Sequence, residues 1–270
     1  MRFASTAFIG SAAGSGNIIQ NGLVFDFRAQ DYQSGSLTWN AFVGNYTASI
    51  TGTVGGGLQY FDGSKVGFDG NHWLTFNTAM SSSISSSQWN IYVLTEFTNE
   101  QLNTSSFKPA FFSKGVADYP EWNWWYRGGG NVNQKGEVFV NGWVDNSVYN
   151  EGGQFEDDFN DVFGTTGKQL FGYQIIGSPT GSLTRAFVTP NSRTTIPGNA
   201  LLGEPANYGP NSFTGSVAEP LLFGKQISQG FSYPESTNMT GSVVRIFAYN
   251  RNLTSEERKA NWLALSNQYT

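Results

Sequence analysis

The stretch GSVVRIFAYNRNLTSEERKANW, Gly241 to Trp262, changes character half-way along. Ser242 to Tyr249 is rich in β-branched and aromatic residues, which fit a pleated surface buried on at least one side, and reads as a strand. From Thr254 onward the signals are helical. Thr254 and Glu257 have the spacing of a capping box, and Glu256 and Glu257 suit the positive N-terminal end of a helix. Leu253, just before the cap, is placed to pack on the stem of Arg258 or on apolar residues nearby. Ala260, Leu263 and Ala264 are expected to face the body of the protein. The chain therefore ends on a strand that runs into one short closing helix, and no other segment asks to be helical.

Working back from that end, short strand-like runs recur at Leu23 to Phe27, Trp89 to Phe97, Phe111 to Lys114, Trp122 to Arg127, Glu137 to Val144, Leu170 to Ile176, Leu183 to Val188 and Leu221 to Phe223. Gly, Pro, Asn and Ser punctuate them, as turns require. Asp62-Gly63 and Asp69-Gly70 both lie between strand-like residues. Because type I′ hairpins need positive φ at both turn positions, LQYFDGSKVGFDGNHWLTF (Leu58 to Phe76) is expected to form a three-stranded meander. So many short strands predict an all-β protein, an antiparallel sandwich or a barrel. Residues 1–22, small and weakly patterned, read as an N-terminal arm, and residues 23–270 as a single domain.

Composition narrows the partners. Charged residues are 13% of the 270, about half the usual share, while aromatic residues are 16% and supply a large core. A net charge of -5, with 15 dispersed Lys and Arg, argues against nucleic acid, whose phosphates need clustered cations. The absence of cysteine removes disulfides, thiol catalysis and cysteine-ligated zinc together. No run approaches the ~20 apolar residues of a membrane span. MRFASTAFIGSAAGSG has one basic residue and no sustained apolar run, so no signal peptide is expected. Acceptor patterns for glycosylation at Asn45, Asn103, Asn238 and Asn252 are of the kind that an Asn-, Ser- and Thr-rich chain produces by chance.

Arg245, Ile246, Tyr249, Asn250, Arg251 and Leu253 occupy places that resemble the closing motif of laminin-G-like, concanavalin A-type jelly rolls, with Phe247-Ala248 slightly altering the spacing. Upstream, GLVFDFRA resembles the family's first strand, YFDGSKVGF its F-D-G hairpin, and FFSKG its I-L-S-K-G element. EWNWWYR, GEVFVNGW, QLFGYQIIGSPTGSLTRAFVTPN and EPLLFGK then follow in family order. The arm and an acidic insertion from Asp145 to Gly167 depart from the pattern. The resemblance implies a two-sheet antiparallel jelly-roll sandwich with a short C-terminal helix. It also implies a choice of roles, since this fold serves lectins, glucanases, adhesion modules and phage structural proteins. The single cysteine-free jelly roll with an arm is most similar to those of bacteriophage virions. On that likeness the expected role is a non-enzymatic virion structural protein, in capsid decoration, a fibre or a tail, which forms a homo-oligomer and meets other virion subunits through the arm. A lectin-like adhesion module that binds cell-surface polysaccharide is the alternative, and a glycoside hydrolase comes third.

Candidate site residues centre on YPEWNWWYRGGG, Tyr119 to Gly130. Alternation puts Trp122, Trp124 and Tyr126 on one face, suited to filling the core, and Asn123, Trp125 and Arg127 on the other. Trp125 flanked by Asn123 and Arg127 has the makings of a sugar-stacking platform, with structural packing or subunit contact as the plainer reading. Glu156, Asp157, Asp158 and Asp161, with Glu151 nearby, could gather oxygen ligands for calcium, but they lack the spacing of a calcium loop. A solvated acidic loop is the stronger reading, and no cofactor is expected. Catalysis lacks a framework: retaining glycosidases need two carboxyl groups ~5 Å apart, and no strand carries alternating carboxylates. Asp157 and Asp158, being consecutive, would face opposite ways on a strand. The remaining acids, Glu121, Glu137, Glu151, Glu156 and Asp158, have no geometry readable from sequence. His72, the sole histidine, reads as structural.

Overall fold

The computed structural model describes residues 17–52, 57–61, 64–77, 88–98, 100–101, 107, 109–116, 119–127, 137–144, 147–153, 167–178, 181–189, 202–208, 220–225 and 238–268. Strands in this part form two antiparallel sheets, so the protein is an all-β sandwich closed by a short C-terminal helix, α1 (Ser255–Gln268). The first sheet runs in the order β14 (Leu202–Tyr208), β13 (Gly181–Thr189), β12 (Gly167–Ser178), β7 (Gln88–Phe97), β16 (Thr240–Tyr249), β5 (Lys65–Asp69) and β4 (Gln59–Phe61). Strand β1 (Leu23–Arg28) joins it by pairing with β16. The second sheet runs β11 (Ser147–Gly153), β10 (Glu137–Val144), β9 (Tyr119–Arg127), β8 (Ala110–Val116), β15 (Leu221–Phe223), β6 (His72–Phe76), β3 (Thr47–Gly52) and β2 (Thr38–Asn40).

Strand β16 is the centre of the construction. One edge pairs with β7; the other is divided end to end, with β5 along Thr240 to Val243 and β1 along Arg245 to Tyr249. A register shift between Val243 and Arg245 inserts one residue, so the two faces exchange residues there. Val243, Ile246 and Ala248 enter the core between the sheets, whereas Val244, Phe247 and Tyr249 enter a second apolar cluster. Every residue from Val243 to Tyr249 is buried, which is why the run is apolar without clean alternation.

The core between the sheets is aromatic. Phe25 and Phe27 of β1 meet Phe76 of β6, and Phe76 stacks on Phe112 of β8, which in turn meets Phe223 of β15. Each such burial contributes roughly 1.5–3 kcal/mol. On the far side of β16 lies a charged group in the interior: the Arg245 guanidinium donates from Nε to Asp26 Oδ1 and from Nη2 to Asp26 Oδ2, both at 2.6 Å. Asp26 is fully buried and Arg245 nearly so. A second guanidinium, that of Arg28, also reaches Asp26.

The second cluster corrects two expectations. Residues 17–22 were assigned to an arm outside the domain, yet Ile18 is buried among Tyr92, Leu94, Phe247, Tyr249, Leu253 and Leu265. The N–H of Ile19 donates to Asn261 Oδ1 at 2.7 Å, and its carbonyl accepts from the Tyr249 hydroxyl at 3.0 Å. The domain thus includes this segment, and residues 1–16 lie outside the described residues. The face of α1 that meets the sandwich is also displaced from the expected one. Ala260 and Leu263 are exposed, whereas Asn261 and Leu265, one turn apart, are buried. Asn261 is polar, but its amide bridges Ile19 and the Tyr249 hydroxyl, so both polar ends are satisfied in the interior. The capping box is as expected: Thr254 N–H donates to Glu257 Oε2 and Glu257 N–H to Thr254 Oγ1.

The expected three-stranded meander is a hairpin and a corner. β4 pairs with β5, but β5 and β6 lie in different sheets. Asp69-Gly70 is where the chain crosses between them. Gly70 has φ 82°, its N–H donates to Met239 O, and Asp69 Oδ1 accepts from the N–H groups of Asn71 and His72. An Asp-Gly pair supplies the positive φ for either turn, and the side-chain bonds of Asp69 select the corner. The insertion beginning at Asp145 is likewise not all loop, since Ser147–Gly153 forms edge strand β11 against β10.

Candidate functional site

The outward face of the second sheet gathers polar and aromatic groups by simple alternation. On β6, His72, Leu74 and Phe76 are buried, leaving Trp73 and Thr75 half-buried on the other side. On β3, Ala48 and Ile50 turn inward and Ser49 and Thr51 outward. On β15, Leu221 and Phe223 turn inward and Leu222 outward. Backbone register then aligns one row across the sheet: Thr38, Ser49, Thr75, Leu222, Ser113, Asn123, Asn141 and Asn150. Seven of these eight residues carry a hydroxyl or a carboxamide.

At the β3–β6–β15 end of that row stands Trp73. Lys225 Nζ lies 4.0 Å from the centre of its ring, a cation–π contact. The backbone of Lys225 is pinned by Ser113, whose hydroxyl donates to the Lys225 carbonyl at 2.7 Å. Beside the indole, Thr51 and Thr75 hydroxyls are 3.1 Å apart and share a hydrogen bond. A half-buried indole, an ammonium and a pair of hydroxyls on the outward sheet face offer a sugar an apolar surface, donors and acceptors together. Sequence reasoning passed over this group. HWLTF does alternate correctly, but Lys225 joins Trp73 only through the pairing of β15 with β6.

The residues singled out in sequence sit further along the same sheet. Asn123 lies in the row just described, registered with Ser113 and Asn141. Trp125 is registered with Phe139, and Arg127 with Glu137. Trp124 is registered with Phe112, a core residue, which sets Asn123 and Trp125 on the alternate rows. Glu156, Asp157, Asp158 and Asp161 lie outside the described residues. Among the described residues no group of three or more His, Asp or Glu could hold a metal ion.

His72 is buried at the start of β6, its Nδ1 3.0 Å and 3.1 Å from the two oxygens of Asp69. Burial alone would raise the Asp69 pKa, but the Asn71 N–H and the His72 ring together hold it below the usual carboxylate value. Nε2 of His72 has no hydrogen-bond partner among the described residues. A Cβ on Gly52 would come within 2.6 Å of the ring, so the imidazole is packed against the glycine of the neighbouring strand. That position is one of packing at a sheet corner.

Neither a family model nor a curated protein matches the chain. Solved structures do match in fold. The binding domain of botulinum neurotoxin serotype D/C superposes with a TM-score of 0.53 at 11% identity, covering 93% of this chain and 53% of that one. A structure of botulinum neurotoxin type C, described for its interaction with two ganglioside molecules, gives 0.54 at 12% identity, with 93% and 52% covered. Trypanosoma rangeli sialidase gives 0.53 at 13% identity, with 99% and 36% covered. They share a sheet-rich sandwich with this chain. The chain spans about half the length of the toxin structures and about a third of the sialidase. These likenesses carry the fold and do not lead to a virion, which rests on the resemblance of sequence segments alone. Among the described residues no helix is long and apolar enough to cross a membrane.

Proposed function

We propose that this chain is a lectin-like carbohydrate-binding module that holds sugars on the outward face of its second sheet and does not turn them over. The observation that carries the reading is the grouping of Trp73, Lys225, Thr51 and Thr75 at one end of a polar row reaching Asn123. Sugars present a C–H face to an aromatic ring and hydroxyls to fixed donors and acceptors, and this face supplies both. The fold likeness to a toxin binding domain and a sialidase supports the reading without deciding it. Binding without turnover is our reading because glycoside hydrolysis takes a pair of carboxyl groups across the scissile bond, whereas the groups that carry this site are an indole, an ammonium and hydroxyls.

A glycan array followed by calorimetry on the full chain tests it. Trp73→Ala is expected to weaken the best-bound glycan about tenfold or more, the worth of one aromatic contact, while the circular dichroism spectrum stays native. Retained affinity in that variant refutes the site, and consumption of any bound glycan over time refutes the binding-only reading.

A further inference from the structure

In the interior charge group beside β16, two guanidinium groups share the carboxylate of Asp26. Asp26 takes two bonds from Arg245 and a third, at 2.7 Å, from Nε of Arg28. Arg28 is itself about nine-tenths buried. Its guanidinium carbon lies 3.5 Å from the centre of the Phe42 ring, so the ring covers one face of the fork. The terminal nitrogens Nη1 and Nη2 of Arg28 make no hydrogen bond among the described residues. Among the described residues the sealed polar atom without a partner is His72 Nε2, and the terminal nitrogens of Arg28 are not sealed in that way, so they keep some contact with solvent.

Phe42 is the second half of the arrangement. It is 60% exposed, unusual for so large an apolar side chain, yet its backbone is fixed: its N–H donates to the Asp26 carbonyl at 2.7 Å, and Val43 bridges to Asp26. The backbone of Arg28 is held as well, because its carbonyl accepts from Trp39 Nε1. A guanidinium already anchored through Nε loses little freedom when a planar anion meets its two remaining nitrogens. The exposed ring beside it suits a ligand that has an apolar face.

We propose that Arg28 and Phe42 form a second binding site, on the first sheet, for a carboxylate-bearing sugar. The carboxylate accepts two parallel hydrogen bonds from Nη1 and Nη2, and the C–H face of the sugar ring lies against Phe42. A neutral sugar gains only the stacking. Asp31, at the end of the short 3-10 turn Ala29–Asp31 that follows β1, is the competing charge. Burial raises its pKa and Arg28 lowers it, so it lies within electrostatic reach of the fork without forming an ion pair with it. The site stands apart from the Trp73 face, on the other sheet, and does not depend on sugar binding there.

Backbone amide NMR of the full chain, titrated separately with D-glucuronate, N-acetylneuraminate, acetate and D-glucose, tests the proposal. Either acidic sugar is expected to shift the amides of Phe42, Val43 and Gly44, and D-glucose to leave them in place. A response to glucuronate alone or to neuraminate alone identifies which source of the carboxylate fits. Phe42→Ala, at an exposed position, is expected to weaken the acidic sugar about tenfold, and Asp31→Asn to strengthen it. Trp73→Ala is expected to change nothing at this site, which separates its failure from that of the other face. No shift with either acidic sugar overturns the proposal, as does acetate binding equally well or unaltered binding in Phe42→Ala.

Discussion

Arg245 and Asp26, 219 residues apart in sequence, meet side-on in the interior through two hydrogen bonds of 2.6 Å. The pair joins the first strand of the domain to its last. Removing one member of a buried pair leaves the other charge without compensation, at a cost of about 3–5 kcal/mol. Asp26→Ala takes the shared carboxylate away from two guanidinium groups, whereas Arg245→Met leaves Asp26 with Arg28. Urea denaturation should therefore show Asp26→Ala to be the more damaging change. Equal losses would mean that Arg28 gives Asp26 no useful partner.

Ile18 should behave as a core residue and not as part of a tether. Truncating a buried isoleucine to alanine costs about 2–5 kcal/mol when the cavity cannot collapse. Ile18→Ala is expected to lower the urea midpoint by that order, and Asn261→Ala to act in the same direction by stripping the Ile19 N–H and the Tyr249 hydroxyl of a partner. A midpoint unchanged in Ile18→Ala would return residues 17–22 to the status of an arm.

Glu257 gives the fold a dependence on acid. The Arg251 guanidinium, which donates twice to the carboxylate, is the main cause that holds its pKa down at about 2, against a usual 4.5. A depressed folded-state value means that the contribution is complete above pH 4.5 and is lost as pH falls toward 2. The pair is partly exposed, so the contribution is modest and shrinks with salt. Glu257→Gln should flatten the stability profile in that interval. An identical profile in the variant would show that the ion pair does not form in solution.

Two phenols should be silent in alkali. Burial is the main cause that pushes the pKa values of Tyr92 and Tyr249 far above the ordinary tyrosine value. The phenolate absorbance of the native protein should fall short of that of the unfolded chain by these two groups, and the deficit should vanish in a single step on unfolding. Their early titration in the native state would mean that the cluster beneath α1 is open to water.

Much of the architecture was legible in the chain because turn chemistry and short strands with their own punctuation are local signals. The closing stretch was readable for the same reason, since the Thr254–Glu257 cap lies within four residues. What escaped depended on partners far away. Asp69-Gly70 satisfies a hairpin as well as a corner, and what distinguishes them are the bonds that Asp69 accepts from Asn71 and His72 and the distant bond from Gly70 to Met239. The buried face of α1 turned on Asn261, whose fitness for the interior exists only once Ile19 and Tyr249 are beside it. Trp73 and Lys225 become one site through strand pairing, and sequence spacing holds no trace of that. Trp125 was singled out for its setting in an aromatic run; the register of β9 gives it a row, while Asn123 proves to share a row with the hydroxyls near Trp73.

The division of one edge of β16 between β5 and β1 has a consequence for how the protein comes into being. Phe25 and Phe27 are synthesised well before β16, the strand that β1 pairs with. Until β16 emerges, β1 lacks its partner strand, so the sandwich closes through a contact between parts of the chain far apart in sequence, which is slow to form. The same closure brings the way in and the way out of the domain side by side, at Ile19 and Asn261, so the folded unit could be spliced into a surface loop of another protein without prising that loop apart.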